Sequence, residues 1–188
     1  MATRILFAHP ALEHRFRQAT DRSEEVGGYL MVDTYQPLGW PGHWNERDLK
    51  KSIGADRRDW LLYVSGFVMA PNLSRRKKVE YSVWDVEKAQ AVADQTASAL
   101  GSALALHFHT HPNGSAEPSR ADLAYAARYC QWAPGVSLFC VVTPRPLRLH
   151  VYQHRYGNVH LPDATDELTC GVFHAWLSQG LKPFRTGG

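Results

Sequence analysis

The chain has 188 residues and a net charge of +3, and 44% of its residues are hydrophobic. This length allows one sizeable hydrophobic core but not two ordinary domains, and the composition argues against disordered and fibrous proteins. The small positive charge does not by itself indicate a nucleic-acid partner. No apolar run reaches the roughly 18 residues of a membrane span, and the N-terminus lacks the apolar core of a secretory signal. We therefore expect a cytoplasmic protein.

In the N-terminal half, the apolar pattern predicts one helix and three strands. The helix begins at Pro10 and ends at Thr20, with Leu12 and Phe16 on its apolar face. The strands are rich in apolar β-forming residues and lie at residues 3–8, 26–32 and 60–69.

In the C-terminal half, helical and alternating apolar patterns follow one another. The first predicted elements are a helix at 83–100 ended by Gly101, a strand at 104–111, a loop at 112–118 and a helix of about 10 residues opened by Ser119. They are followed by a hairpin of strands at 136–142 and 147–153 and by an amphipathic helix from Asp166 to Ser178. These elements predict an α/β fold, a single-domain mixed β-sheet flanked by helices. We expect a catalytic domain over 1–160, with a C-terminal helix and tail over 161–188 packed on it.

Two segments between these elements allow more than one interpretation. Residues 34–59 are rich in proline, glycine and charge, and predict an irregular insertion with a possible short helical turn, which could serve as a substrate-facing lid. Its Trp40 and Trp44 either anchor the insertion to the body of the domain, which we favour, or form a recognition patch. The basic run Arg75 to Lys78 is either a solvated loop or a surface that steers an acidic partner.

Histidine, rather than cysteine, is the metal-binding residue type that stands out. Cys130, Cys140 and Cys170 form no C-x-x-C pair, so neither a disulfide framework nor a thiolate zinc site is indicated. Ten histidines are present, and imidazole is a common metal ligand and proton carrier near neutral pH.

The most informative stretch runs from His107 to Leu123. His109 and His111 are two apart on a predicted strand, so their imidazoles lie on one face. Ser119 and Asp122 are three apart at a helix start, which places both side chains on the same side of its first turn. Two histidines and one carboxylate give zinc three protein ligands and leave one position for water, as in a catalytic site. Zinc lowers the pKa of such a water from 15.7 to about 7.

A base within reach of that water would complete a hydrolytic site. Glu25, at the entry to an early strand and just before Gly27 and Gly28, is our candidate, and Glu24 is its competitor. The structural alternatives are that Ser119 and Asp122 form a helix capping box, which is compatible with a metal role, and that the histidines are merely hydrogen-bonded. His107 shares the face of the two ligands, and we expect it to be packed rather than to support the metal or contact substrate.

This arrangement resembles the JAMM signature of the MPN/JAB metalloprotease family. The positions that carry the resemblance are Glu25, Gly28, His109, His111, Ser119 and Asp122. The order of strands and helices extends it over residues 3 to 153, whereas the 34–59 insertion and the C-terminal helix are not fixed by the family pattern. The resemblance implies the MPN/JAB, cytidine-deaminase-like architecture, a zinc cofactor, and cleavage of the isopeptide or peptide bond after the Gly-Gly tail of a ubiquitin-like protein.

In that chemistry Glu25 would be the proton carrier and Ser119 would donate to the oxyanion. Two alternatives remain: a JAB protein of the DNA-repair-associated type with another substrate, and a non-catalytic scaffold, as family members without the metal residues are. We expect no membrane partner. We also expect no nucleic-acid partner, because no aromatic and basic stacking pattern stands out. The terminal Gly187-Gly188 is interpreted as a trimmed or flexible end rather than a ubiquitin-like tail.

Overall fold

The computed structural model describes most of the chain, and the structural statements below concern these residues: 3–35, 47, 50–51, 54, 56, 58–75, 86–133, 136–155 and 168–169. The elements are β1 Thr3–Phe7, α1 Pro10–Thr20, β2 Gly27–Tyr35, β3 Trp60–Ala70, α2 Val86–Leu100, β4 Leu104–Thr110, α3 Arg120–Tyr129, β5 Gln131–Ala133, β6 Val136–Pro144, β7 Leu147–Arg155 and β8 Leu168–Thr169.

The strands form one mixed sheet in the order β1-β3-β2-β4-β6-β7-β8, with β5 paired to one end of β6. The β1–β3 and β4–β6 pairs are parallel, and the other pairs are antiparallel. This confirms the predicted α/β class. Strand β4 lies between two hydrogen-bonded neighbours, so its side chains are held at defined positions on either face of the sheet.

The two faces of the sheet are covered by different helices. Phe16 of α1 is 0% exposed and packs edge-on against Phe108 of β4, within the largest apolar cluster. Side chains alternate along a strand, so His107 and His109 face the opposite side, where α2 and α3 lie. Helix α1 therefore covers the main hydrophobic core, and the histidine face is turned toward α3.

Two glycines meet backbone requirements that other residues would not. Gly101 has a φ of +71° and ends α2, where its N–H donates to the Ser98 carbonyl and the Ser102 N–H donates to that of Ala97. This is a Schellman motif, and it confirms the predicted helix stop. At Gly28, an added Cβ would lie 2.0 Å from the Val68 carbonyl oxygen. Strands β2 and β3 can therefore approach closely at that point only with glycine.

The largest difference between the predicted and the observed elements lies at the C-terminal end. The helix predicted from Asp166 to Ser178 is wrong at Leu168 and Thr169, which form β8 and pair with Leu149 and Arg148 of β7. An edge strand offers unpaired backbone groups, and a short extended segment satisfies them. The rest of that predicted helix, Gly187-Gly188, Cys170, Trp40, Trp44 and 76–78 lie outside the described residues.

The insertion at 34–59 is shorter than expected at its start, because β2 runs to Tyr35. Within it, Arg47, Lys50 and Lys51 are helical, in agreement with the predicted short turn. Strand β5 was not predicted, since three residues give too short a pattern to recognise. None of the described helices is long and apolar enough to cross a membrane.

Candidate metal centre

Three metal-binding side chains converge where β4 ends and α3 begins. The Nε2 atoms of His109 and His111 are 3.0 Å apart, and Asp122 Oδ1 is 3.2 Å from His109 Nε2. Asp122 Oδ2 lies 3.5 Å from His111 Nε2. One donor atom from each residue falls within 4.8 Å of the others. Three electron-pair donors at such distances repel one another unless protons or a cation lie between them, and the set of two imidazoles and one carboxylate fits a divalent zinc ion.

The tautomer of His111 is fixed by the loop that follows it. Its Nδ1 lies 3.0 Å from the Ser115 carbonyl oxygen, which can only accept, so Nδ1 carries a hydrogen and Nε2 is the nitrogen left to bind a metal when the ring is neutral. A backbone carbonyl bonded to the far nitrogen is the usual support of a metal-binding histidine. The loop is itself held, because the Tyr152 hydroxyl donates to the Ala116 carbonyl at 2.6 Å. The loop therefore orients one ligand before any metal arrives.

Asp122 is oriented by the cap of its own helix. Ser119 is the N-cap of α3, and its main-chain N–H donates to Asp122 Oδ2 at 2.6 Å. In return, the Asp122 N–H donates to Ser119 Oγ at 3.2 Å. This is the predicted capping box, and it leaves Asp122 Oδ1 turned toward His109. The capping box and a metal-binding role of Asp122 are therefore compatible.

The electrostatics of the site favour a cation. Burial alone would raise the pKa of Asp122, but hydrogen bonds from His109 and His111, the charge of His109 and the Ser119 N–H hold it well below its usual range. Burial would lower the pKa of His111, but the hydrogen bond and charge of Asp122, the Ser115 carbonyl and the charge of Glu25 together raise it. Asp122 is therefore ionised at neutral pH, as a metal ligand must be.

Glu25 precedes β2 at the end of the sheet where His109 and His111 lie. In the antiparallel β2–β4 pair, Tyr29 is opposite His107 and Gly27 is opposite His109. The next step of this register places Glu25 opposite His111, and cross-strand partners share a face. The effect of its charge on the pKa of His111 agrees with this position. Glu25 is half-buried whereas Glu24 is exposed, so the structure favours Glu25 over its neighbour as the candidate base.

His107 does not belong to the group of converging donors. Its ring is 4% exposed and packs against Tyr29 at 5.6 Å and Tyr125 at 4.7 Å between ring centroids. Burial, together with the charge of His109, lowers its pKa to about 3. It also borders a cavity of about 550 Å³ between α2 and α3. These contacts agree with the prediction of a packed histidine.

The comparison with protein families settles the family. A model described as prokaryotic homologs of the JAB domain matches residues 11–153, well over half of the chain. The chain belongs to the JAB family. JAB domains include zinc isopeptidases as well as inactive members, so family membership alone does not establish activity. No curated protein matches the sequence. In this JAB domain the three side chains that could hold a metal ion lie close to one another.

The supporting groups were not anticipated from the sequence. The Ser115 carbonyl and the Tyr152 hydroxyl act on this JAB domain's ligand loop, and Asn72 contacts the backbone of Glu25. A main-chain carbonyl carries no signal in the sequence. The tyrosine lies on β7 and the asparagine follows β3, so a single sequence gives no pattern that connects them with the loop or with the glutamate.

Proposed function

We propose that this protein is a zinc-dependent hydrolase of amide bonds. The observation that carries the proposal is the convergence of His109, His111 and Asp122, together with the nearby charge of Glu25, which contributes to the raised pKa of His111. Two imidazoles and a carboxylate leave zinc one further coordination position, which separates a catalytic site from a closed structural one. Bound zinc would supply a Lewis acid that polarises a carbonyl and lowers the pKa of water.

Glu25 is the group that moves protons. Its charge acts on His111, and Gly27, opposite His109, contributes no side chain on the β2 side of that histidine. Glu25 takes a proton from the attacking water and delivers it to the amine that leaves, so the carboxylate is unchanged after each turnover. Glutamine at position 25 would keep the size of the side chain but accept no proton.

Ser119 supplies a hydrogen-bond donor for the developing oxyanion. Its oxygen accepts the Asp122 N–H through a lone pair, which leaves the hydroxyl hydrogen available. The main-chain cap holds this hydroxyl beside the carboxylate ligand, so the donor is in place before charge develops. Preorganised donors of this kind typically contribute 10²- to 10³-fold to kcat.

The substrate class follows from the family. Since JAMM-type members often cleave after the Gly-Gly tail of a ubiquitin-like protein, we extend the proposal to the peptide or isopeptide bond at that position. Two glycines present only main-chain groups, so an extended tail can approach a site at the end of a strand without steric conflict. The serine and the glutamate then act at the carbonyl of the last glycine of the tail, where His109, His111 and Asp122 would hold the zinc.

The test uses the full chain loaded with zinc. The substrates are a ubiquitin-like protein ending in Gly-Gly, fused through a peptide bond to a second protein, and the same modifier joined to a lysine side chain. We expect mass spectrometry to detect a product ending in Gly-Gly, chelation to abolish the reaction and added zinc to restore it. Glu25→Gln should bind one zinc and be inactive, whereas Glu24→Gln, its exposed neighbour, should be fully active.

Two outcomes would contradict the proposal. Cleavage that persists after chelation, or in Glu25→Gln, would show that the reaction does not use this site. Purified protein that takes up no stoichiometric zinc, measured by metal analysis, would favour the scaffold alternative.

A further inference from the structure

The segment that carries Glu25 is held by two side chains in addition to one main-chain hydrogen bond from β4. Residues 21–26 between α1 and β2 belong to no helix or strand, although the carboxylate must be placed accurately if it is to act as a base. The peptide group that joins Glu25 to Val26 is hydrogen-bonded at both of its ends. Asn72 Nδ2 donates to the Glu25 carbonyl at 2.8 Å, and the Val26 N–H donates to Thr110 Oγ1 at 2.9 Å.

On the β3 side, Asn72 continues the sheet where main-chain pairing stops. Gly27 pairs with Ala70, so the same register places Glu25 opposite Asn72. Pro71 lies between them and has no N–H to donate. The Asn72 side chain supplies the donor instead. Its orientation is fixed from the other end, because Asn72 Oδ1 accepts the Ser74 N–H at 3.0 Å.

On the β4 side, Thr110 makes the last rung of the ladder. Its N–H donates to the Val26 carbonyl at 2.7 Å, as in a regular antiparallel pair, but the return bond from the Val26 N–H goes to the threonine hydroxyl. Thr110 is completely buried and lies between the ligands His109 and His111. The position of the glutamate and the position of the metal ligands are thus connected through one residue.

A planar peptide group that is bonded on both sides cannot rotate, so the backbone torsions next to it are fixed. We infer that Asn72 and Thr110 are positioning residues, which hold the Glu25–Val26 peptide and thereby set the carboxylate of Glu25 against the metal ligands. This inference rests on the proposed function. It assigns to the two residues a role in kcat, and none in binding zinc or substrate.

Three substitutions separate the parts of this arrangement. Asn72→Asp keeps an acceptor for the Ser74 N–H but removes the donor to Glu25. Thr110→Val keeps the shape of the side chain but removes the acceptor for the Val26 N–H, and Thr110→Ser restores it. Thr96→Val is the matched control, because the Thr96 hydroxyl donates to a carbonyl within α2, away from the site.

We expect Asn72→Asp and Thr110→Val to lower kcat by about 10- to 100-fold, the range that a misplacement of about 1 Å produces, while KM and zinc stoichiometry stay unchanged. Thr110→Ser and Thr96→Val should retain kcat. In the zinc-free protein, amide hydrogen exchange measured by NMR should show faster exchange of the Val26 N–H in Thr110→Val, by about tenfold or more, and not in Thr110→Ser.

The outcomes distinguish this inference from the proposed function. If the wild-type protein cleaves substrate but Asn72→Asp and Thr110→Val keep full kcat, the positioning role is wrong and the hydrolase stands. If kcat falls only in proportion to lost zinc or to a lower unfolding midpoint, the two residues are structural and the inference is overturned. If the zinc-loaded wild-type protein cleaves neither substrate, the proposed function fails and the inference fails with it.

Discussion

Substitution of Ser119 separates its role as a helix cap from its proposed role as a donor to the oxyanion. Alanine removes the oxygen that accepts the Asp122 N–H as well as the hydroxyl hydrogen. Glycine also removes the hydroxyl, but at an N-cap it costs only a few tenths of a kcal/mol, whereas alanine costs about 1 kcal/mol. Threonine keeps both functions. The hydrogen bond from the Ser119 N–H to Asp122 Oδ2 has a main-chain donor, so all three variants retain it and should still bind zinc.

The expected order differs between the two measurements. Urea denaturation of the zinc-free protein should show Ser119→Ala destabilised by about 1 kcal/mol, with Ser119→Gly and Ser119→Thr close to the wild type. Steady-state hydrolysis of a Gly-Gly-ended substrate should show both Ala and Gly variants reduced by about 10²- to 10³-fold in kcat, and Thr near the wild type. A glycine variant with full activity would refute the reasoning, because the serine would then act only as a cap.

Three further predictions concern the surroundings of the site. Gly28→Ala should destabilise the protein by about 3 kcal/mol in urea denaturation, because the added Cβ would lie 2.0 Å from the Val68 carbonyl oxygen. Gly66→Ala should destabilise it less, because its nearest contact is a side-chain atom at 3.1 Å, and equal effects of the two substitutions would argue against close strand packing at Gly28. Burial lowers the pKa of His107 in the folded protein to about 3, so below pH 6.5 the unfolded chain binds a proton at this residue that the folded protein does not. The free energy of unfolding should therefore fall as the pH drops from 6.5 toward 3, by up to about 1.4 kcal/mol per pH unit. His107→Leu in the zinc-free protein should show a shallower fall between pH 7 and pH 5, and an unchanged slope would contradict the shift. Tyr152→Phe removes the hydrogen bond to the Ala116 carbonyl in the loop after His111, and should speed zinc loss to a chelator by a few-fold. This effect is smaller than the 10- to 100-fold typical of groups bonded directly to a metal ligand, and an unchanged rate would show that this hydrogen bond does not contribute to zinc binding.

The sequence predicted the ligand set because the determining contacts are local. His109 and His111 are brought together by the two-residue period of a strand, and Ser119 and Asp122 by the first turn of a helix. Both regularities hold within a few residues, whatever the rest of the chain does. The choice of Glu25 over Glu24 was less certain from sequence, since it depends on the register between β2 and β4, which local patterns do not fix.

The errors and omissions have a common physical origin. Leu168 and Thr169 carry a helical pattern, but the free edge of β7 decides their conformation. The contact between Asn72 and Glu25 spans 47 residues, and that between Val26 and Thr110 spans 84. Such contacts arise only when the sheet assembles, so a single sequence cannot reveal which asparagine or threonine makes them.

The three candidate metal ligands lie between His109 and Asp122, whereas the proposed base, Glu25, precedes β2. The two halves of the reaction can therefore be lost separately in evolution. A single substitution at position 25 would then leave a domain of unchanged fold that binds zinc and a peptide tail but does not cleave the tail. A change from a hydrolase to a binding protein would require one substitution and no change of fold.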